Sequence, residues 1–322
     1  MALLRKINTK AATDENTGFG RNSNSNADRF FNKDGQPNIH IKGVSWLKRS
    51  SIFQFMLKVP VWKFLGIIVL FYLVVNLLFA TVYTLIGIDN LGGMDAKTLP
   101  GKFLEAFFFS AQTLSTVGYG HVYPSGFAAN AVAAIESLLG LLMFALATGL
   151  MYGRFSKPRS YLVFSEKALF APYKDGVALM FRLAPYKKHF LTDVEIKVNL
   201  AMEVNVNGVM KNQFYSLNLE LSRANTLTLN WTIVHPIDET SPLFNLTKED
   251  IALSDAEMLV FLKGYDDEYS NTVVARTSYT FKEFVYGAKF KMMYHPSEDG
   301  ATTILDLDKL NAFDAAEVPV KF

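Results

Sequence analysis

The sequence contains no cysteine, and this excludes disulfide bonds and thiolate metal sites within the chain. Charged residues are also scarce: they make up 19% of the 322 residues, whereas 50% are hydrophobic. An average soluble protein carries about 25% charged residues. The deficit is concentrated in particular stretches, since Phe64 to Ile88 contains no charged side chain. This pattern predicts membrane-spanning segments rather than a uniformly apolar soluble protein.

The common catalytic and nucleic-acid-binding motifs are missing as well. There is no nucleophile elbow, no phosphate-binding glycine loop and no helix with paired histidines. His235 and Asp238 lie close together in the sequence but are weak evidence for a catalytic triad. The net charge of +2 comes without a concentrated basic stripe. We therefore expect no enzyme activity, no cofactor and no nucleic-acid partner.

Three apolar segments follow one another between residues 64 and 152. Phe64 to Ile88 has 25 residues, which extend about 37 Å as a helix and can cross a hydrocarbon core with some tilt. Phe127 to Tyr152 is a second predicted span, interrupted only by Glu136. Lys102 to Leu114 lies between them and is too short to span, which predicts a re-entrant helix.

A glycine-containing run directly follows the short apolar segment: Thr116, Val117, Gly118, Tyr119 and Gly120. Rings of backbone carbonyls from four TVGYG-type loops replace the water of a crossing potassium ion. The two glycines permit the backbone angles that this arrangement needs, and the Thr116 hydroxyl can add a ligand at the inner mouth. A surface turn is the alternative, but the apolar flanks disfavour it. The run therefore predicts a filter that binds K⁺ as the permeant ion.

The basic residues predict the orientation in the membrane. They cluster before the first span and after the second, whereas the connecting region has no basic excess. Cytoplasmic segments carry such an excess, so we expect both termini in the cytoplasm of a multi-pass protein of the cell (inner) membrane. Met1 to Ser45 is polar and does not resemble a signal peptide.

Composition changes along the chain predict four regions. Residues 1–45 are polar and expected to be mostly disordered. Residues 46–59 have lysines on one helical face and apolar side chains on another, which favours an interfacial amphipathic helix over an ordinary surface helix. Residues 60–159 form the predicted two-helix pore domain, with a pore helix at 102–114 and the filter at 116–120. Residues 160–322 form a predicted β-sandwich.

Period-two alternation predicts the strands of the last region. The clearest segments are 194–200, 217–221 and 227–231, with further candidates near 177–183, 258–262, 277–281 and 303–307. Pro, Gly, Asn and Asp separate them. Several short strands at this spacing predict an antiparallel, immunoglobulin-like sandwich. The fold class expected is thus membrane α plus all-β.

This order of elements resembles the inward-rectifier potassium channels, from about Trp46 to the C-terminus. FFFSAQTLSTVGYG (Phe107–Gly120) is similar to the family's pore region, and GLMYGRFSKP (Gly149–Pro158) to the end of its inner helix. TIVHPIDETSPLFNLTKED (Thr232–Asp250), which includes His235 and Asp238, resembles its cytoplasmic signature. Short loops and absent cysteines look more like the bacterial members. The resemblance implies a homotetramer, since one loop cannot surround an ion.

The resemblance also implies roles for the inner helix. Phe144, Thr148 and Tyr152 recur every four residues and would line the cavity, with Tyr152 at a gate where the helices cross. The alternative is an apolar stripe that packs between helices. Gly149 is the expected hinge, or else the position that lets neighbouring helices approach closely. Phe144 stands where strongly rectifying animal members have an acid, so we expect weak block by polyamines at this position.

A second departure concerns the support of the filter. The family commonly has a glutamate in the pore helix where this chain has Gln112. Glu136 lies in the outer half of the second span, where an ionised side chain costs about 2.5–3.5 kcal/mol on insertion scales. We expect Glu136 to face inward and take part of the missing glutamate's role, so that Glu136→Gln impairs the filter. A snorkelling or protonated carboxyl near the outer interface is the alternative.

Further expectations concern ligands of the cytoplasmic side. Anionic lipids would bind basic residues near that leaflet, although setting the topology accounts for part of their placement: Lys48, Arg49, Lys58, Arg154, Lys157 and Arg159. Asp193 and Asp267 align with acids of the family's cytoplasmic vestibule, where Mg²⁺ or polyamines would bind; solvated surface carboxylates are the alternative. His121, outside the filter, is a candidate pH-sensitive group or an idle exposed histidine.

Three functions remain open at this point. The leading one is a tetrameric potassium channel whose cytoplasmic sandwich couples lipid or ion signals to the inner-helix gate. The second is a membrane-anchored receptor that conducts nothing. The third is a weakly selective cation channel.

Overall fold

The structure is a computed structural model that describes residues 7–8, 10–14, 16–19, 29–43, 45, 51–188, 190–206 and 209–319. The chain forms two units. Residues 42–157 form the first, called the membrane unit below, and residues 1–41 with 158–322 form the second, called the β unit.

The described part of the membrane unit contains four α-helices. They are the interfacial helix α1 (Ile52–Lys58), the outer helix α2 (Val61–Leu85), the pore helix α3 (Leu99–Leu114) and the inner helix α4 (Gly126–Phe155). The outer and inner helices are both long and apolar enough to cross a membrane. Two short strands, β1 (Leu91–Gly92) and β2 (Tyr123–Pro124), pair antiparallel outside the pore helix.

The interfacial and pore helices begin after side-chain caps, and the pore helix starts before its predicted first residue. The Ser51 hydroxyl accepts a hydrogen bond from the amide of Gln54, and Pro60 precedes the outer helix. The Thr98 hydroxyl accepts from the amide of Gly101, so the pore helix begins at Leu99 rather than at Lys102. Side-chain caps satisfy amides that have no partner within the helix, which is why the helices start there.

The β unit is a sandwich of two five-stranded sheets. The first sheet has the order β11-β10-β6-β7 with β8 beside β6, and the second has the order β12-β4-β5-β3 with β9 beside β5. The pairs are antiparallel apart from the parallel pair β12–β4. The strands are β3 (Leu162–Phe164), β4 (Ala168–Tyr173), β5 (Gly176–Pro185), β6 (Leu191–Val206), β7 (Val209–Ser216), β8 (Arg223–Leu227), β9 (Trp231–Pro236), β10 (Glu257–Asp266), β11 (Asn271–Thr280) and β12 (Phe284–Tyr286).

Smaller elements complete this unit. Helix α5 (Lys248–Leu253) begins with a capping box between Thr247 and Asp250. Four three-residue strands form two ladders, β13 with β16 and β14 with β15: β13 (Ala288–Phe290), β14 (Tyr294–Pro296), β15 (Thr303–Leu305) and β16 (Phe313–Ala315).

Alternation along β6 shows why the sheets pack together. Val194, Ile196 and Val198 are buried, whereas Lys197 between them is exposed. Successive side chains of a strand point to opposite faces, so the apolar set enters the core between the sheets. The predicted fold class, apolar membrane helices followed by a β-sandwich, is confirmed.

Two predicted strands are not strands in the structure. Residues 217–221 cross from one sheet to the other, since the Leu217 amide donates to Val198 of β6 and the Glu220 amide to Val234 of β9. Residues 227–231 contain the connection between β8 and β9. Alternation records which side chains are buried but not whether the backbone pairs with a neighbour, and this explains both differences.

The N-terminal region also differs from the expected disorder where the structure describes it. The amides of Phe30 and Phe31 donate to the buried carboxylate of Glu257, at 2.7 and 3.4 Å. Arg29 donates to Ser278 and pairs with Glu283 at 2.7 Å. These contacts attach residues 29–38 to β10 and β11. The polar composition suggested disorder because the segment has few apolar anchors.

Candidate ion-conduction site

The pore loop, Thr116 to Gly120, has an alternating backbone conformation. Thr116, Gly118 and Gly120 have positive φ values of 61°, 55° and 82°, whereas Val117 and Tyr119 do not have positive φ. When left-handed and right-handed backbone conformations alternate, successive carbonyls point toward the same side of the chain. Glycine adopts positive φ without strain, so two of the three positions are suited to it, and Thr116 is the strained one.

The loop is attached to the pore helix through Gln112. The Gln112 carbonyl accepts hydrogen bonds from the amides of Val117 (2.9 Å) and Gly118 (3.2 Å) and from the Ser115 hydroxyl (3.3 Å). This is the main-chain end of the pore helix, which carries partial negative charge. The contribution of Gln112 that the structure shows is therefore made by its backbone.

Glu136 faces the helices and not the outer interface. Its side chain is fully buried, and its carboxyl oxygens contact the hydroxyls of Tyr83 (2.7 Å) and Ser110. Tyr83 belongs to the outer helix and Ser110 to the pore helix. Glu136 thus joins the outer, pore and inner helices.

The sequence reasoning missed the partners of Glu136. Asn76 and Ser110 are both fully buried, and the Ser110 hydroxyl lies 2.9 Å from the Asn76 side-chain oxygen. The Tyr72 hydroxyl donates to the Ala111 carbonyl at 3.1 Å. A signal was present, because a polar amide inside a charge-free span is rare and marks an interhelical contact.

The proposed cavity residues lie on one exposed side of the inner helix in this chain. Phe144 and Tyr152 each have 73% of their surface exposed, and Thr148 and Gly149 are exposed as well. A Cβ added at Gly149 would meet no atom within 4 Å. Apolar side chains at this exposure need a further partner, either lipid or other copies of the helix.

The basic residues separate into two groups. Lys48 and Arg49 lie outside the described residues. Three of the basic side chains are exposed and so accessible to lipid headgroups. They are Lys58 and Lys157 of the membrane unit and Arg159 of the β unit.

Arg154 is engaged differently from the expectation. Its guanidinium donates to the carbonyls of Met56 and Val59, at 2.5 Å each, and lies 4.7 Å from the centre of the Phe64 ring. These carbonyls end the interfacial helix, where no amide remains to satisfy them. Arg154 therefore joins the interfacial helix to the inner helix.

The two acids of the β unit lie near each other at one end of the first sheet. Asp193 occupies a bulge in β6 with φ 46°, opposite the bend of β10. The Thr192 hydroxyl donates to Asp267 at 3.2 Å. Both carboxylates are exposed.

His235 has a structural position and His121 an exposed one. His235 is buried, with Nδ1 at 2.6 Å from the Asn218 carbonyl and Nε2 at 2.8 Å from the Ser241 hydroxyl. Asp238 instead accepts from Thr240, so the two residues form no triad. His121 lies 3.4 Å from Asp95, both exposed. The described residues contain no group of acids and histidines able to hold a metal ion.

Comparisons with known proteins agree with this geometry. The model of the inward rectifier potassium channel C-terminal domain matches residues 162–321, and an ion channel model matches residues 67–157. The chain is 34% identical over 289 residues to the inward rectifier potassium channel Kirbac3.1 of Paramagnetospirillum magnetotacticum, covering 88% of this chain and 95% of that one. The chain belongs to the inward rectifier potassium channel family.

Animal relatives are more distant. The G protein-activated inward rectifier potassium channel 2 of Pongo abelii is 28% identical, over 81% of this chain and 67% of the relative. The corresponding channel of Mus musculus is 27% identical, over 81% and 66%. The relatives are channels and not enzymes, and the relationship supports a potassium channel in a membrane for this family member.

Proposed function

We propose that this family member is a homotetrameric, potassium-selective channel of the cell membrane, gated where the inner helices cross. The alternating backbone of Thr116, Gly118 and Gly120, attached to the end of the pore helix, is the observation that carries the proposal. Such a loop offers a row of carbonyls to an ion, and four copies make rings.

Exposure in the single chain supports the tetramer. Val117 and Tyr119 of the loop have 53% and 81% of their surface exposed, and Phe144 and Tyr152 of the inner helix have 73% each. A ring of four chains would cover these side chains and enclose an axis. Tyr152 then supplies four rings at the narrowest crossing, with Gly149 as the hinge that lets the helix bend.

Regulation is assigned to the cytoplasmic side, where both termini would lie. Anionic lipid headgroups would meet Lys58, Lys157 and Arg159, while Asp193 and Asp267 would concentrate Mg²⁺ or polyamines in the vestibule. Four copies of two exposed carboxylates at one end of the first sheet would provide the negative potential that this needs.

Cation uptake into liposomes tests the function. A potassium gradient drives the uptake of rubidium and sodium tracers, and the two uptakes are compared. Barium is added as a filter blocker, and the anionic lipid content is varied. We expect rubidium uptake above sodium uptake, stopped by barium. Equal uptake would favour the weakly selective channel, and no uptake even in Tyr152→Ala would favour a receptor that does not conduct.

Two glycine variants sharpen this experiment. Gly118→Ala forces a side chain onto a residue with φ 55°, which strains the loop although no atom lies within 4 Å of the new Cβ. Gly66→Ala in the outer helix also adds a methyl group in open space, at a residue without positive φ. We expect Gly118→Ala to lose selective uptake and Gly66→Ala to keep it.

A further inference from the structure

A chain of hydrogen bonds crosses the three helices behind the pore loop. The Asn76 amide nitrogen donates to the Tyr72 carbonyl at 2.7 Å. The Asn76 oxygen lies 2.9 Å from Ser110 Oγ, which also contacts Glu136 Oε1. Glu136 Oε2 lies 2.7 Å from the Tyr83 hydroxyl. The four side chains, from Asn76 to Tyr83, are fully buried, so water cannot supply a missing partner.

The orientation of the Asn76 amide follows from its first contact. If the amide were turned around, its oxygen would face the Tyr72 carbonyl oxygen at 2.7 Å, and two acceptors would meet. The nitrogen therefore points to Tyr72. The oxygen is then the atom that faces Ser110, and it can only accept.

The number of protons decides the state of Glu136. Ser110 Oγ has a single hydrogen but lies between two acceptor atoms, the Asn76 oxygen and Glu136 Oε1. If Glu136 were a carboxylate, one of these two contacts would bring together oxygens with no hydrogen between them. The Tyr83 hydroxyl cannot repair this, since its hydrogen is used at the other carboxyl oxygen.

A proton on Glu136 Oε1 satisfies every contact. Oε1 then donates to Ser110, Ser110 donates to Asn76, and Tyr83 donates to Oε2. A proton on Oε2 would leave the Ser110 contact unsatisfied, so its position is fixed as well. No cation forms an ion pair with Glu136 in the described part of the chain, and the only titratable side chain that contacts it is Tyr83.

We propose that Glu136 is a neutral carboxylic acid that donates from Oε1 to Ser110 and so holds the outer, pore and inner helices together behind the filter. This inference depends on the proposed function only because it calls the pore loop a filter. It reverses the expectation that Glu136→Gln impairs the filter. A glutamine at position 136 preserves these hydrogen bonds, because its side-chain nitrogen donates to Ser110 and its side-chain oxygen accepts from Tyr83.

Infrared spectroscopy of the full chain in lipid nanodiscs tests the protonation directly. The carbonyl stretch of a protonated carboxylic acid is compared between wild type and Glu136→Gln near neutral pH. We expect a band that is present in wild type, shifts in deuterated water, disappears in Glu136→Gln and changes frequency in Ser110→Ala. A wild-type spectrum without that band, or with carboxylate bands that vanish in Glu136→Gln, would overturn the proposal.

Tetramer survival on heating provides the second measurement. The Glu136→Gln tetramer should survive as the wild-type tetramer does. Glu136→Leu removes the donor and the acceptor, so at the wild-type midpoint temperature it should retain at least about tenfold less intact tetramer than wild type. Equal losses in both variants would contradict the proposal. Neither measurement needs conduction, so a chain that shows the band but passes no rubidium would overturn the channel and leave the neutral acid intact.

Discussion

Gly140 of the inner helix lies directly against the carbonyl of Leu114, the last residue of the pore helix. A Cβ built on Gly140 would come within 1.9 Å of the Leu114 oxygen and 2.8 Å of its carbonyl carbon. Both are backbone atoms and cannot turn aside. Because the pore loop starts just beyond Leu114, the absence of a side chain at Gly140 fixes how closely the inner helix approaches the base of the filter.

Gly140→Ala should therefore destabilise the tetramer. Helix propensity alone would favour alanine by about 1 kcal/mol, but forcing a methyl group into a packed contact costs about 1–3 kcal/mol, and a backbone contact lies at the upper end. We expect a lower thermal midpoint of the tetramer and reduced rubidium uptake.

Gly66→Ala is the matched control for stability, since it lies in a membrane-spanning helix away from the proposed helix crossing and its new Cβ would meet no atom within 4 Å. Its midpoint should equal or exceed that of wild type. Equal midpoints for the two variants would contradict the close approach of Gly140 to Leu114.

The second prediction concerns the link between the interfacial and inner helices. Arg154→Gln replaces the guanidinium that donates to the carbonyls of Met56 and Val59 by a shorter, neutral amide. A hydrogen bond from a charged group contributes about 1.5–3 kcal/mol, so the end of the interfacial helix should separate from the inner helix more often. Cysteines introduced at Leu57 and Gly153 measure this, since a Cβ on Gly153 lies 3.4 Å from the Leu57 side chain.

The sequence has no cysteine of its own, so a cross-link between the two introduced cysteines is unambiguous. We expect slower cross-linking in the Arg154→Gln background and an unchanged rate in Lys157→Gln, whose side chain is exposed. Were the rate the same in all three backgrounds, Arg154 would not hold the helices together, and its role would return to lipid binding.

Sequence reasoning reached the spans, the filter run and the sandwich because each has a strong local pattern. It also placed Glu136 toward the protein, since a carboxyl in a span needs a polar partner. It could not name Asn76, Ser110 and Tyr83, because their meeting depends on how three helices rotate against one another. Nor could it separate Arg154 from the other basic residues, since charge and position alone do not distinguish a lipid headgroup from a helix-end carbonyl.

The same reasoning failed where alternation was taken as proof of pairing. Residues 217–221 alternate as a strand does, but they cross between sheets and leave only isolated hydrogen bonds to Val198 and Val234. For residues 29–38 the difference is the opposite one, since the structure shows more order than was predicted. Their polarity predicted disorder, but main-chain amides of that segment bind Glu257, and an amide leaves no mark in composition.

The third prediction concerns the pH dependence of the β unit. Burial lowers the pKa of His235, which outweighs the opposing effect of its hydrogen bond to Asn218 and of nearby Asp238. The unfolded chain, with a histidine pKa of about 6.5, then binds more protons than the folded one at acidic pH. The stability contributed by neutral His235 is therefore complete above that value and falls as pH drops below it.

Thermal unfolding of the full chain, between about pH 7.5 and about pH 5, measures this effect. The midpoint of wild type should fall on acidification, and His235→Gln should start lower near neutral pH but fall less. His295→Gln is the control, since His295 is exposed on β14 and should leave the wild-type slope unchanged. Parallel curves for wild type and His235→Gln would show that another group sets the acid sensitivity.

The fourth prediction concerns block by polyamines in the cavity. Phe144 is uncharged and lies on the exposed side of the inner helix, so four copies add no negative charge to the proposed cavity. Wild type should show weak voltage-dependent block by internal spermine. Phe144→Asp places four carboxylates there and should tighten the block by at least about tenfold, which corresponds to 1.4 kcal/mol. Phe144→Asn, similar in size but neutral, should remain weakly blocked. Tight block in wild type, or equal block in both variants, would indicate that polyamines bind at the exposed acids Asp193 and Asp267 instead of near Phe144. Asp→Asn changes at those two acids would then weaken the block.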